Sequence, residues 1–159
     1  MDQLGQGQGL PDRLEGWIEA EFPNLKSYHI TSSYNPVYNC IAFAVGDETR
    51  YWTSDQALSG HSGYHWPDGA KTGQHLSALQ SAYEIEGFEV CGDGEMEDGY
   101  QKVALYATND GNFQHVAKQC KDGSWKSKLG DFEDIRHLKA EWLNSPRYGQ
   151  VVCFMKRPI

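Results

Sequence analysis

A chain of 159 residues with 39% hydrophobic and 13% aromatic side chains fits one domain around a single core, so disorder is not the default reading. Its formal charge of −8 repels phosphate backbones, so nucleic acid is not an expected partner. No apolar run approaches the roughly 20 residues needed to cross a bilayer, so no membrane partner is expected either.

Residues Met1 to Leu10 are Gln/Gly-rich, with neither a basic start nor an apolar stretch, and read as a flexible arm rather than a secretory signal. Residues 11–159 are then the single domain. Cys40, Cys91, Cys120 and Cys153 are scattered without CxxC spacing, which in a chain lacking a signal points to reduced thiols and a cytoplasmic location. Seventeen glycines and six prolines imply many turns.

Pro11 to Phe22 has helical spacing, with Leu14, Trp17, Ile18 and Phe22 on one stripe and Pro23 as its stop. Ser32 to Tyr38 is polar, aromatic and broken by Pro36, so it reads as loop. Asn39 and Cys40 then open the apolar run Ile41-Ala42-Phe43-Ala44-Val45, closed by Gly46. Asp47 to Lys71 is irregular and rich in Trp, Tyr, His and Gly. Gln74 to Ile85 is expected to be a helix ended by Gly87, and Phe88 to Cys91 a short strand. Gly92 to Gly99 is an acidic, exposed loop. Lys102 to Thr108 is the clearest strand, and the Asn109-Asp110-Gly111 turn sends Phe113 to Cys120 back antiparallel. A second turn at Lys121-Asp122-Gly123 leads into Ser124 to Lys128. Asp131 to Trp142 is expected to be a short helix and Gly149 to Met155 a closing strand. Helices first and an antiparallel sheet second make an α+β arrangement.

Cys40 is the candidate nucleophile. A free thiol is mostly protonated at neutral pH and is activated by a helix N-terminus or a neighbouring imidazolium. Asn39 is a good N-cap, and a buried helix starting at Cys40 would aim its free amides at the sulfur and at an oxyanion. The five apolar residues that follow equally suit a buried strand, in which Cys40 would be a small hydrophobe. His115 opens the strand His115-Val116-Ala117-Lys118-Gln119, from which an imidazole can reach a helix N-terminus as base and ion-pair partner. Cys40 and His115 in that order carry the catalytic reading.

The run Tyr38-Asn39-Cys40-Ile41-Ala42-Phe43-Ala44-Val45-Gly46 resembles the signature of an uncharacterised family of small bacterial and plant proteins. So do Lys102 to Tyr106, His115 to Gln119, Asp122-Gly123-Ser124-Trp125, Ser127-Lys128-Leu129-Gly130 and Glu133-Asp134-Ile135 with His137; the likeness spans about Tyr34 to Arg157. More loosely, an Asn-Cys pair opening an apolar helix, followed by a strand beginning His-Val, resembles the NlpC/P60 and CHAP branches of papain-like amidases and peptidases. That resemblance implies a central Cys-bearing helix packed on an antiparallel sheet, and a Cys-His site with a third polar residue on the next strand. The position twelve residues beyond His115 is Ser127, and Asp131 and Asp134 are the alternatives. The chain departs from the likeness in having neither a D-C-S-G sequence around the nucleophile nor an obvious third histidine.

The aromatic stretch from Tyr51 to Trp66 follows the Cys40 run, so Asn39, Trp52 and Trp66 are the candidate substrate-contacting residues, with core packing as the alternative. His61 and His65 have H-x3-H spacing, but Gly63 and Pro67 argue against the helix a zinc face needs. Asp93, Glu95 and Glu97 imitate a calcium loop whose twelfth position, Ala104, cannot ligate. No metal and no cofactor is expected. The expected function is a thiol hydrolase acting on a peptide or another amide-bearing substrate, with Cys40 attacking, His115 moving the proton and Ser127 orienting the ring. The alternative is a non-catalytic binding or adaptor module on a degenerate hydrolase fold.

Overall fold

Strand-forming sequence is concentrated after residue 88, and the longest strands there form the middle of the sheet. The structure is a computed structural model that describes residues 16–32, 35–129 and 133–159. The expected arm over residues 1–10 and the first turn of the expected N-terminal helix lie outside the described residues. What is described of that helix is α1 (Trp17–Glu21), with Ile18 buried. After it come β1 (His29–Ser32), α2 (Cys40–Ala44), β2 (Tyr51–Trp52), β3 (Tyr64–His65) and α3 (Leu76–Ile85). The second half holds β4 (Glu89–Cys91), β5 (Tyr100–Ala107), β6 (Phe113–Gln119), β7 (Trp125–Lys128), β8 (Asp134–His137), a 3-10 turn at Ala140–Leu143 and β9 (Gln150–Pro158).

Among the described residues, seven strands form one sheet in the order β1-β8-β7-β6-β5-β9-β4, and every neighbouring pair is antiparallel. The small β2–β3 pair is parallel. β5 is central and covered on both faces, so its residues from Lys102 to Ala107 are all buried. Val103 and Leu105 face α2 and α3, together with Val116 and Met155. Ala104 and Tyr106 face the other way, into a second cluster with Ala117, Trp125, Ile135 and Phe22. Ala104 and Ala117 sit opposite one another across β5 and β6, and their small side chains make room for the rings around them.

All five residues of α2 are buried, so packing rather than intrinsic propensity holds so short a helix. Its cap also anchors it sideways. Asn39 Oδ1 accepts from the amides of Ala42 and Trp52, each at 3.2 Å, while Nδ2 donates to the Trp52 carbonyl at 2.8 Å. The Tyr83 hydroxyl of α3 donates to the Ile41 carbonyl at 2.7 Å.

Two segments depart from the sequence-based expectation. β1 falls where no strand was expected. Asp131–Trp142 is not a helix: its described part is β8 followed by the 3-10 turn. β8 pairs with β7 on one side and β1 on the other, and its residues alternate between faces, with Ile135 and His137 buried on one of them. Two sets of ladder hydrogen bonds outweigh a helical spacing that had only a few apolar residues to support it.

Gly149 joins the 3-10 turn to β9 at φ +74°, and a Cβ there would run into the Ala107 carbonyl. Gly149 also exchanges backbone hydrogen bonds with Ser145 at 2.7 and 2.9 Å, so the chain cannot simply back away. Gly149→Ala is expected to cost about 3 kcal/mol or more, read as a fall in the urea midpoint at unchanged m-value; a midpoint within error of the parent's would show that the turn relaxes freely.

Candidate functional site around Cys40 and His115

Cys40 is the first residue of α2 and is 9% exposed. Burial pushes its thiol above the ordinary value. The amides of Val116, Ile41 and Cys40 and the Lys128 ammonium pull in the other direction without reversing it. A five-residue helix aligns few peptide dipoles, so its N-terminus contributes little beyond those amides. The sulfur packs in the cluster that contains Val116, Phe43 and Leu105.

His115 belongs to the other side of the sheet. It pairs with Tyr106 across β5 and β6, and successive residues of a strand point to opposite faces, so Val116 points toward Cys40 and His115 away from it. Its ring lies parallel to Tyr148, with centroids 4.1 Å apart and planes 2° from coplanar, and 5.0 Å from the Tyr106 ring. The side chain is fully buried, and neither ring nitrogen has a hydrogen-bond partner among the described residues. Burial holds its pKa well below the usual histidine value, and neighbouring His137 pushes in the same direction. The imidazole is therefore neutral and sealed, with no hydrogen bond to Cys40.

Ser127 does not orient His115 either. Its hydroxyl lies 2.8 Å from His137 Nε2, and His137 Nδ1 lies 3.0 Å from the Lys139 carbonyl. A carbonyl oxygen only accepts, so Nδ1 carries the proton and Nε2 accepts from Ser127. Burial lowers His137 to about 4. Of the other third-residue candidates, the described one, Asp134, fares no better. Asp134 points to the Cys40 side, where burial raises its carboxyl against the pull of the Ser32 hydroxyl and Lys128, and Asp131 lies outside the described residues.

The expected substrate contacts are structural ones in this fold. Trp52 and Trp66 are buried in the core, and their indole N–H groups donate to Asp47 Oδ2 at 2.9 Å and the Lys71 carbonyl at 2.8 Å. Asn39 is consumed by the cap. Of the H-x3-H pair His61 and His65, His65 Nδ1 meets Arg50 at 3.0 Å, and no group of metal-holding side chains occurs among the described residues. Sequence reasoning gave His137 and Tyr148 no role in the site, and it read Lys128, with Lys126, as part of a solvated strand face, which the burial of Lys128 contradicts. Lys128 is fully buried, with its ammonium 5.0 Å from the centre of the Tyr38 ring. Recognising β8 as a strand paired antiparallel with β7, Trp125 opposite His137 and Ser127 opposite Ile135, would have placed His137 beside Ser127.

Two buried neutral histidines make stability depend on pH with a definite sign. Unfolded, each titrates near 6.5; folded, His115 stays neutral well below that and His137 down to about 4. The unfolded chain therefore binds more protons below pH 6.5, so the stability held above that pH is lost progressively toward pH 4. Asp134, raised by burial, acts with the opposite sign but is one group against two. The urea midpoint is expected to fall steeply from pH 6.5 to pH 4, and His115→Phe, which keeps the ring stack, is expected to flatten that fall. A pH profile of unchanged steepness in the variant would mean that His115 is protonated in the fold.

The described chain has no helix long and apolar enough to cross a membrane. No curated protein and no solved structure matches it. One family model does, over residues 29–156, from β1 through most of β9, covering Cys40, His115 and Ser127. The chain belongs to that family, a domain of unknown function designated DUF7689.

Proposed function

We propose that this domain is a non-catalytic binding module, built on a frame akin to the papain-like, NlpC/P60 and CHAP hydrolases but without an assembled catalytic pair. The observation that carries this reading is the position of His115: neutral, fully buried and turned to the sheet face opposite Cys40. A thiol hydrolase needs a thiolate and a base within hydrogen-bond reach of it. Here the thiol is raised by burial and the candidate base, His115, is stacked on Tyr148. What supports the likeness to the hydrolase frame is the short, buried, Cys-headed helix lying against β6 and β7. Likeness of frame does not confer activity. The four unpaired thiols agree with a reducing, cytoplasmic setting, and the charge of −8 favours a protein or peptide partner over nucleic acid.

Thiol chemistry tests this directly. In the folded protein, iodoacetamide at neutral pH is expected to alkylate Cys40 about tenfold or more slowly than Cys91, Cys120 and Cys153, each of which is partly exposed. Unfolding in urea is expected to equalise the four. Preferential alkylation of Cys40, with a rate that titrates well below the free-thiol pKa, would overturn the binding reading and restore the hydrolase.

A further inference from the structure

A cavity of about 410 Å³ opens on the sheet face away from Cys40, between the loop that follows β4 and the segment joining β8 to the 3-10 turn. Its size lies within the range of small-ligand and side-chain pockets. Trp125 and Phe154 form its floor, with ring centroids 5.9 Å apart. Its lips are Met96 and Leu138, which are 46% and 63% exposed although they are large and apolar. Glu95 and Glu141 stand at the rim, both exposed, with the cation Lys139 beside them among the described lining residues. Asp93 also lines the cavity, but its carboxylate is engaged by Lys102 at 3.1 Å.

The loop wall is held in place before any ligand arrives. Gln119 Nε2 donates to the Gly94 carbonyl at 2.6 Å, and Lys102 Nζ reaches both the Asp93 carbonyl and its carboxylate at 3.1 Å. Gly94 lies so close to the floor that a Cβ there would come within 2.6 Å of Phe154 Cε1. A wall held this way costs little ordering entropy on binding.

We infer that this cavity receives an arginine or lysine side chain from a protein partner, flanked by apolar residues. The aliphatic stem lies along Met96, Leu138 and the aromatic floor, while the cationic head meets Glu95 and Glu141. Flanking apolar residues cover the two exposed lips. An acidic ligand meets two like charges at the rim. A second copy of this chain brings its own charge of −8 to the contact. The inference rests on the binding reading above and supplies its surface and partner class.

The probe is the tripeptide acetyl-Leu-Arg-Leu-amide, titrated into the full-length, 15N-labelled protein to about 10 mM, the weak end of side-chain recognition. Amide shifts are expected to be confined to Gly92–Met96 and Leu138–Glu141, together with the Trp125 indole. The Glu95→Gln, Glu141→Gln double variant changes only exposed side chains and is expected to bind about fivefold more weakly. Acetyl-Leu-Glu-Leu-amide is expected not to shift these resonances. Absent shifts, equal shifts with the glutamate peptide, or undiminished binding by the double variant would each overturn the assignment. Cys40→Ala is expected to leave the titration unchanged, so a failed titration and a reactive Cys40 are separate outcomes with separate meanings.

Discussion

Strand β6 serves two cores at once, and its register against β5 decides which side chain goes to which. The pairs Val103–Lys118, Ala104–Ala117, Leu105–Val116 and Tyr106–His115 alternate between the helix-covered face and the face carrying Tyr148 and Trp125. The irregularity after Tyr106 then returns Phe113 to the helix side, where it stacks on Trp66. A slip of one residue would swing His115 toward Cys40, but it would also expel Val116 from beneath α2 and drive Ala117 out from among the rings on the other face. Burying Val116 alone is worth about 2 kcal/mol. The side on which His115 lies is therefore set by the apolar residues next to it and not by its own chemistry.

The electrostatics follow from that placement. In a working thiol–imidazole pair, each charged form stabilises the other and offsets the penalty of burial. Separated by the sheet, neither group has the other's charge to offset that penalty. The Cys40 thiol moves up and the His115 imidazole moves down, in both cases chiefly through burial. A proton moves from thiol to imidazole only when the acid and base strengths approach one another, and burial on separate faces drives them apart. His115 also leaves two polar nitrogens without partners among the described residues, a cost offset in part by its close parallel contact with Tyr148.

Local chemistry was legible in the sequence, and pairing between distant segments was not. Asn39 as a cap and Cys40 as the head of a buried helix was one of two readings the sequence left open, the other being a buried strand, and it was available at all because a cap concerns four consecutive residues. β5, β6 and β9 were legible from β-branched and aromatic runs bounded by Asn-Asp-Gly and glycine turns. β1 and β8 were not, because each is a strand only by virtue of the other and of β7. That one omission hid the chemistry of the region. With β8 taken for a helix, His137 had no reason to lie beside Ser127, and Ser127 was left free to be assigned to His115. Trp52 and Trp66 show the same limit: their abundance near Cys40 was visible, but their N–H partners Asp47 and Lys71 come from turns whose geometry depends on the whole β2–β3 corner.

The acidic loop after β4 shows how a buried cation can organise a surface segment. Lys102 sits in a strand where its neighbours on either face are core, and it is only 3% exposed. A buried ammonium needs carboxylates and carbonyls around it, and the loop supplies them through Asp93 at 3.1 Å and Glu97 at 3.5 Å. Glu97 also takes Lys156 at 2.9 Å, which ties the same loop to β9. Two of the segment's carboxylates are thus consumed in holding it against the sheet. Glu95 lies between them in sequence and has no lysine partner among the described residues; its amide bonds back to Asp93 while its side chain remains at the cavity mouth. Spacing that imitates a calcium loop in the sequence therefore resolves into alternating tasks, with the outer acids neutralising lysines and the inner one left to set the charge of an apolar pocket.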